Sequence, residues 1–123
     1  MARRFTIKWL KEPKASNYPA ALSYLTLLFE PRVAESFVRR LRRARVSQFK
    51  SKDIFRASGL SLLGVSNFFV EKDRKKIIEG VALSPILLVR DRVRGRLIVA
   101  DGYHRLCSVY SIDEEAPIPC KIV

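Results

Sequence analysis

The residues best suited to chemistry lie together in the last quarter of the chain, in Ile98-Val99-Ala100-Asp101-Gly102-Tyr103-His104-Arg105. A strand-like apolar run ends there, Gly102 permits a tight turn, and a helix begins with two side chains able to donate to an anion. The first amides of a helix lack intrahelical partners and carry the positive end of its dipole, so Gly102 and Tyr103 can offer backbone N–H groups to a phosphate. Arg105 can pair its planar guanidinium with two phosphate oxygens. His104 adds a further side-chain donor, and Asp101 and His104 are the two candidates for a catalytic role. The same residues also read as an ordinary helix start, with Asp101 as N-cap, Gly102 as the turn, and His104 and Arg105 as an exposed first turn. Spacing leaves both readings open.

A second cationic pair lies in Lys50-Ser51-Lys52-Asp53-Ile54-Phe55-Arg56. Helical spacing places Lys52 and Arg56 four residues apart on one side, where a phosphate can bridge them if the segment folds against the Gly102 turn. Otherwise they form a solvated turn, and Lys72, Asp73, Lys75 and Lys76 read in the same way as the wet face of a helix. Ser84, just before Pro85, can lend its hydroxyl to a ligand. Arg39, Arg40, Arg42, Arg43 and Arg45 crowd one short stretch without an intervening acid, and such like charge repels itself unless a polyanion relieves it. Phe37 and Phe49 are expected in the core, so stacking on single strands is not expected. No cluster of carboxylates stands at metal-ligand spacing. Cys107 and Cys120 form no CxxC pair and have only one His in the chain to assist them, so a zinc or redox site is not expected and both read as small buried hydrophobes.

The elements that must position these residues follow from periodicity. Phe5, Ile7 and Trp9 alternate with Thr6 and Lys8, predicting a short strand that Pro13 ends. Pro19 opens a helix running to Phe29 with Ala21, Leu25 and Leu28 on one stripe. After Pro31, Val33, Phe37, Val38, Leu41 and Ala44 mark the apolar face of a basic amphipathic helix. The stretch Phe49 to Gly59 predicts one or two helical turns, with Ser51 as a cap and Gly59 as the stop, followed by loop through Gly64 and Asn67. Val70 to Gly80 is a third amphipathic helix. Ile86 to Arg90 and Arg96 to Ala100 read as a β-hairpin, then a helix over Tyr103 to Tyr110 packs Leu106, Val109 and Tyr110 on the sheet, and Ile118 to Val123 is the last strand.

Composition bounds the function classes. The 123 residues carry 24 Lys+Arg against 12 Asp+Glu, and 48% are hydrophobic, which predicts one globular domain able to bury a core without disulfide or metal. No apolar run approaches the roughly 20 residues of a membrane span, and the N-terminus lacks the apolar core of a secretory signal, so a cytoplasmic location and no membrane partner are expected. Residues 1–58 hold 14 basic and 4 acidic side chains, and residues 59–123 hold 10 and 8. The basic first half points to nucleic acid, an anionic nucleotide or an acidic protein face.

From Val70 to Val123, the order of helix ending in Gly80, Ser84-Pro85 strand, hairpin, Asp101-Gly102-Tyr103-His104-Arg105, helix and closing Ile118-Pro119-Cys120 strand resembles the ParB/sulfiredoxin superfamily. The resemblance covers a little under half the chain. It implies an α+β fold, a small mixed sheet with helices, here preceded by two or three N-terminal helices, with 1–58 as a basic helical part and 59–123 as the core of a single domain. Members share a Gly-x-x-Arg turn that receives nucleotide phosphates. ParB-type partition proteins bind and hydrolyse CTP there, sulfiredoxins use ATP, and a related free serine kinase uses ADP. Carried onto this chain, the turn is Gly102 to Arg105, the ligand a nucleoside di- or triphosphate with Mg²⁺, and any turnover phosphoryl transfer or nucleotide hydrolysis, with Asp101 contacting ribose or a metal ion. Tyr103 stands where sulfiredoxins carry their reactive Cys, so sulfinic-acid reduction is not implied. ParB-type proteins usually carry an Arg pair here and continue into a helix-turn-helix DNA-binding region, whereas this sequence runs to Val123, so a centromere clamp is not expected, and residues 1–58 match no motif of these families. The alternative is a non-enzymatic nucleic-acid-binding or regulatory module using the Arg-rich helix. Either reading is compatible with a homo-oligomer.

Overall fold

In the computed structural model, residues 6–61 and 67–123 are described, and the order of elements follows from where prolines and glycines interrupt the apolar pattern. Helix α1 spans Asn17–Leu25 and α2 Pro31–Arg43. Glu30 between them is extended, as a residue preceding proline must be, so the predicted helix to Phe29 ends early and Pro31 starts the next at its first turn. Leu28 therefore leaves the helical stripe and is 42% exposed, whereas Ala21 and Leu25 are fully buried. On α2 the buried positions are Ala34, Val38 and Leu41, and Val33 faces out.

Strand β1 (Ser47–Lys50) leads directly into α3 (Ser51–Ser58), α4 spans Phe68–Ile78, β2 Ile86–Asp91, β3 Arg96–Asp101, α5 Tyr103–Ile112 and β4 Pro117–Ile122. Five helices and four strands thus make a small α+β fold among the described residues. The sheet order is β1-β4-β2-β3: β1 is antiparallel to β4, β2 parallel to β4, and β2 and β3 form the predicted antiparallel hairpin. Ile86, Leu87, Leu88 and Val89 are all fully buried because helices cover both faces, which is why the sequence shows a continuous apolar run instead of alternation. Leu87 and Val89 pack with Ala21, Leu25, Val38 and Leu41 of α1 and α2. Ile86 and Leu88 pack with Ile54, Ile77, Leu106 and Val109 of α3, α4 and α5. At roughly 1.5–3 kcal/mol for each large apolar side chain buried, these two clusters hold the layers together. The division at residue 58 is not a packing boundary, since β1 completes the sheet with β4 and α1 and α2 cover one of its faces.

Several local expectations change. The strand predicted for Phe5 to Leu10, whose first residue lies outside the described residues, is reduced to a bridge of Trp9 to Leu83. Leu10 N–H donates to Leu83 O at 2.8 Å and Leu83 N–H to Lys8 O at 2.9 Å. The next donor on that side would be residue 85, a proline with no N–H, so the ladder stops. Edge strand β1 was not legible, because it is exposed throughout and exists only through its pairing; Phe49 is 44% exposed and not core. Phe37 is partly buried, and Tyr110 likewise sits half-buried against Phe55. Ser51 does not cap α3 but begins it, buried, with its hydroxyl donating to the carbonyls of Asp113 at 3.0 Å and Glu114 at 2.7 Å. Gly59 ends α3 at φ 64°, as expected. Gly64 lies outside the described residues, and Asn67, expected in loop, caps α4 by accepting from the Phe69 and Val70 amides at 3.0 and 3.3 Å. Cys107 and Cys120 are buried and not joined in a disulfide. Among the described residues no helix is long and apolar enough to cross a membrane.

Candidate functional site

The Gly102 turn is built by the end of the hairpin. Leu88 pairs with Val99 but Leu87 pairs with Asp101, so Ala100 is an extra residue, and the bulge re-aims the strand just before the turn. Gly102 then adopts φ 113°, and a Cβ on it would lie 2.4 Å from Ile86 Cγ2. Only glycine meets both conditions, so the turn lies tight against β2. Helix α5 starts at once, and its N-cap, Gly102, has no side chain to bond the first amides. Those amides point out of the turn.

The turn opens onto a cleft of about 350 Å³. Its walls are the start of α1 with the residues before it (Lys14, Ser16, Asn17), one side of α4 (Phe69, Lys72, Asp73, Lys76), Ser84 ahead of β2, and Asp101 to Arg105. Among the described residues four cations line it against two carboxylates, and His104 joins them, its ring 5.0 Å from Phe69 and 5.7 Å from Tyr103. The Tyr103 hydroxyl donates to Ser61 O, which fastens the segment after α3 to the rim.

Arg105 is occupied within the protein. Its Nη2 donates to Asp101 Oδ2 at 2.9 Å, and its Nη1 donates to Ser84 O at 3.1 Å and to Ser84 Oγ. This guanidinium ties the end of β3, the first turn of α5 and the entrance to β2 together across Gly102. Asp101 is accordingly not the helix cap of the simpler sequence reading; Gly102 is. Burial pushes the Asp101 carboxyl above its ordinary range, opposed by Arg105 and by a hydrogen bond from Asn17. Burial also raises Asp73, opposed by Lys76, Arg105, His104 and Lys72.

Of the residues singled out by sequence, Ser84, Asp101, Gly102, Tyr103, His104 and Arg105 meet at this cleft. Lys52 and Arg56 do not line it. The buried Ser51 anchors the start of α3 to the Asp113 and Glu114 carbonyls, so Lys52 meets Glu115, which Lys50 also contacts at 3.0 Å. Their hydrogen bond raises the exposed Lys52 ammonium and lowers the Glu115 carboxyl. The i, i+4 pair that does reach the turn is Lys72 and Lys76, which sequence treats as a solvated face. The distinguishing signal was the short link from Gly80 to Pro85, which keeps the end of α4 beside Ser84. Lys14, Ser16 and Asn17 carried no sequence signal, because α1 comes from the other half of the chain. Arg39, Arg40, Arg42, Arg43 and Arg45 lie on or just after α2, outside the cleft; Arg42 stacks over the Tyr18 ring at 4.5 Å and Arg40 over Phe37 at 5.6 Å. Among the described residues no group of three or more His, Cys, Asp or Glu side chains is placed to hold a metal. Compared with known proteins, the chain matches no family model, no curated protein and no solved structure.

Proposed function

We propose that this chain binds the phosphates of a nucleoside di- or triphosphate in the Gly102 cleft, as a member of the ParB/sulfiredoxin superfamily. The order from α4 through Gly80, the β2–β3 hairpin, Gly102-x-x-Arg105, α5 and β4 supports the family reading. The observation that carries the ligand reading is the N-terminus of α5, with glycine at its cap, opening into the same cleft as Lys14, Lys72 and Lys76. A phosphate there meets backbone donors, a helix dipole and three ammonium groups.

Roles shift from those the sequence implied. Arg105, held by Asp101 and Ser84, positions the turn; Lys72, Lys76, His104 and the amides of Tyr103 and His104 face the phosphates. Mg²⁺ in nucleotide sites is typically held by one or two carboxylates with the phosphates themselves. Asp73 and Asp101 both line the cleft, and with Asp101 engaged by Arg105, Asp73 is the carboxylate that would hold an accompanying Mg²⁺. The ion would screen phosphate charge and leave the lysines to orient the chain of phosphates. His104 is the group at the cleft best suited to move a proton if the bound nucleotide is turned over.

Isothermal titration with ATP, ADP, CTP, GTP and inorganic phosphate, with and without Mg²⁺, tests the reading, paired with an assay for released phosphate. One nucleotide is expected to bind in preference to inorganic phosphate, and the Lys72→Ala/Lys76→Ala variant to lose about tenfold or more in affinity, the scale of one lost charge-assisted hydrogen bond. Equal binding by that variant, or indifference to every nucleotide, would overturn it.

A further inference from the structure

The Arg-rich helix has no part in the Gly102 cleft, and the fold gives it a second set of arginines. At the far end of β2 from Ser84, a separate cleft of about 270 Å³ opens between α2 and the tip of the β2–β3 hairpin. Arg40 of α2 and Arg90 and Arg92 of the hairpin wall it, Phe29 and Phe37 form its aromatic side with ring centroids 5.1 Å apart, and Val93 stands at its rim, 95% exposed. Among the described residues the one acidic side chain lining the cleft, Asp91, is buried and used by the hairpin: its Oδ1 accepts from the Arg94 amide at 3.2 Å and its Oδ2 lies 3.8 and 3.9 Å from Arg94 and Arg96. Arg40, Arg90 and Arg92 make no ion pair among the described residues. Arg43 follows Arg40 by one helical turn and extends the charge along α2.

We infer that this surface binds single-stranded nucleic acid, with backbone phosphates on Arg40, Arg43, Arg90 and Arg92 and a base entering the cleft against Phe29 and Phe37. The positive groups are all guanidinium, whose planar fork fits phosphate oxygens and which stack on rings, as Arg40 already does on Phe37. An aromatic wall beside a line of cations is the combination that holds a strand with its bases unpaired. A lipid surface would need a broad apolar face, and here only Val93 projects fully. An acidic peptide would use the arginines but leave the aromatic wall unused. Sequence placed Phe37 in the core and so discounted stacking; Phe37 does pack against the core, and its half-buried ring also lines the cleft. A six-residue strand separates the two clefts by roughly 17–20 Å, so occupation of one does not require the other.

The test is fluorescence anisotropy with a labelled mixed-sequence oligonucleotide, single-stranded or annealed, and sedimentation with phosphatidylserine vesicles, over a range of salt. The parent is expected to bind the single strand more tightly than the duplex or the vesicles. Arg40→Ala/Arg92→Ala is expected to weaken single-strand binding at least about tenfold and to reduce the slope of log K against log salt by about 1.4, two phosphate contacts on a single strand. Lys11→Ala/Lys75→Ala removes the same charge from exposed positions elsewhere and is expected to bind like the parent. Equal weakening by the two double variants, an unchanged Arg40→Ala/Arg92→Ala protein, or preference for duplex or vesicles would each overturn the inference. The substituted side chains are all exposed, so unaltered melting temperatures are expected and confirm that folding is not being read.

Discussion

Arg105 reaches back four residues across Gly102 to bond Asp101 at 2.9 Å, and the pair is largely enclosed, with side chains 13% and 21% exposed. The arginine expected to reach for a ligand also closes the turn that carries the first amides of α5. Removing one partner of a fully buried pair costs roughly 3–5 kcal/mol, and partial exposure here lowers the expectation to roughly 2–3 kcal/mol for Arg105→Ala. Arg105→Lys is expected to recover little, since a point ammonium cannot serve Ser84 and Asp101 together. Urea unfolding of both variants measures this; parental stability for either would show that the bridge does not hold the turn.

Gly102→Ala meets two separate penalties, a positive φ and the contact with Ile86. The strained backbone alone costs roughly 1–3 kcal/mol. Adding Ile86→Ala removes the contact without changing φ, so the double variant is expected to be less destabilised than the sum of the two single ones. Additive urea midpoints would show that the side chain of Ile86 does not press on the turn.

How much of this site was legible in the sequence depended on whether its residues were neighbours along the chain. Asp101 to Arg105 announced a strand, a turn and a helix in eight residues, and Gly102 could be read because few other reasons exist for glycine there. Lys72 with Lys76 and Lys52 with Arg56 carry the same i, i+4 signature, and local pattern has no means of choosing between them; a buried Ser51 and a short Gly80 to Pro85 link decide it. Strand β1 escaped notice because nothing buried marks it, and the predicted N-terminal strand failed on a proline in its partner, 76 residues after Trp9. Helices α1 and α2 were read nearly in register, yet only the fold shows that Asn17 meets Asp101 and that Arg40 meets the hairpin.

The two raised carboxyls set a pH dependence of stability. Asp73 and Asp101 both sit above 3.8 in the folded chain, so the fold binds their protons more tightly than the unfolded chain does. Their contribution is complete below the unfolded value and is lost as pH rises through the raised folded values. Asp73→Asn stays neutral throughout. Its unfolding free energy is expected to gain on the parent as pH rises above the ordinary Asp value of 3.8. A difference that is flat with pH, or that moves toward the parent, contradicts the assignment of burial as the main cause. In EDTA the same variant is expected to bind inorganic phosphate more tightly at neutral pH.

Lys121 on β4 is buried, and its Nζ donates to the Tyr18 hydroxyl at 3.0 Å and to the Arg42 carbonyl at 3.1 Å, with Glu12 Oε2 at 3.4 Å. It joins the sheet to both N-terminal helices at the end of α2. Lys121→Met keeps the apolar stem and leaves the Arg42 carbonyl without this donor, a loss of roughly 1–3 kcal/mol. Hydrogen exchange of α1 and α2 amides is expected to quicken more than that of α5. Uniform quickening would show global destabilisation instead of release of these helices.

The central claim is that phosphate meets the start of α5. An amide-resolved NMR titration of the ¹⁵N-labelled chain with the best-binding nucleotide reads it directly. The account expects the largest shifts at Gly102, Tyr103 and His104, with Lys72 and Lys76 moving alongside and the residues of α2 unmoved. Shifts confined to Arg39 through Arg45 and the hairpin, with the Gly102 turn silent, would contradict it.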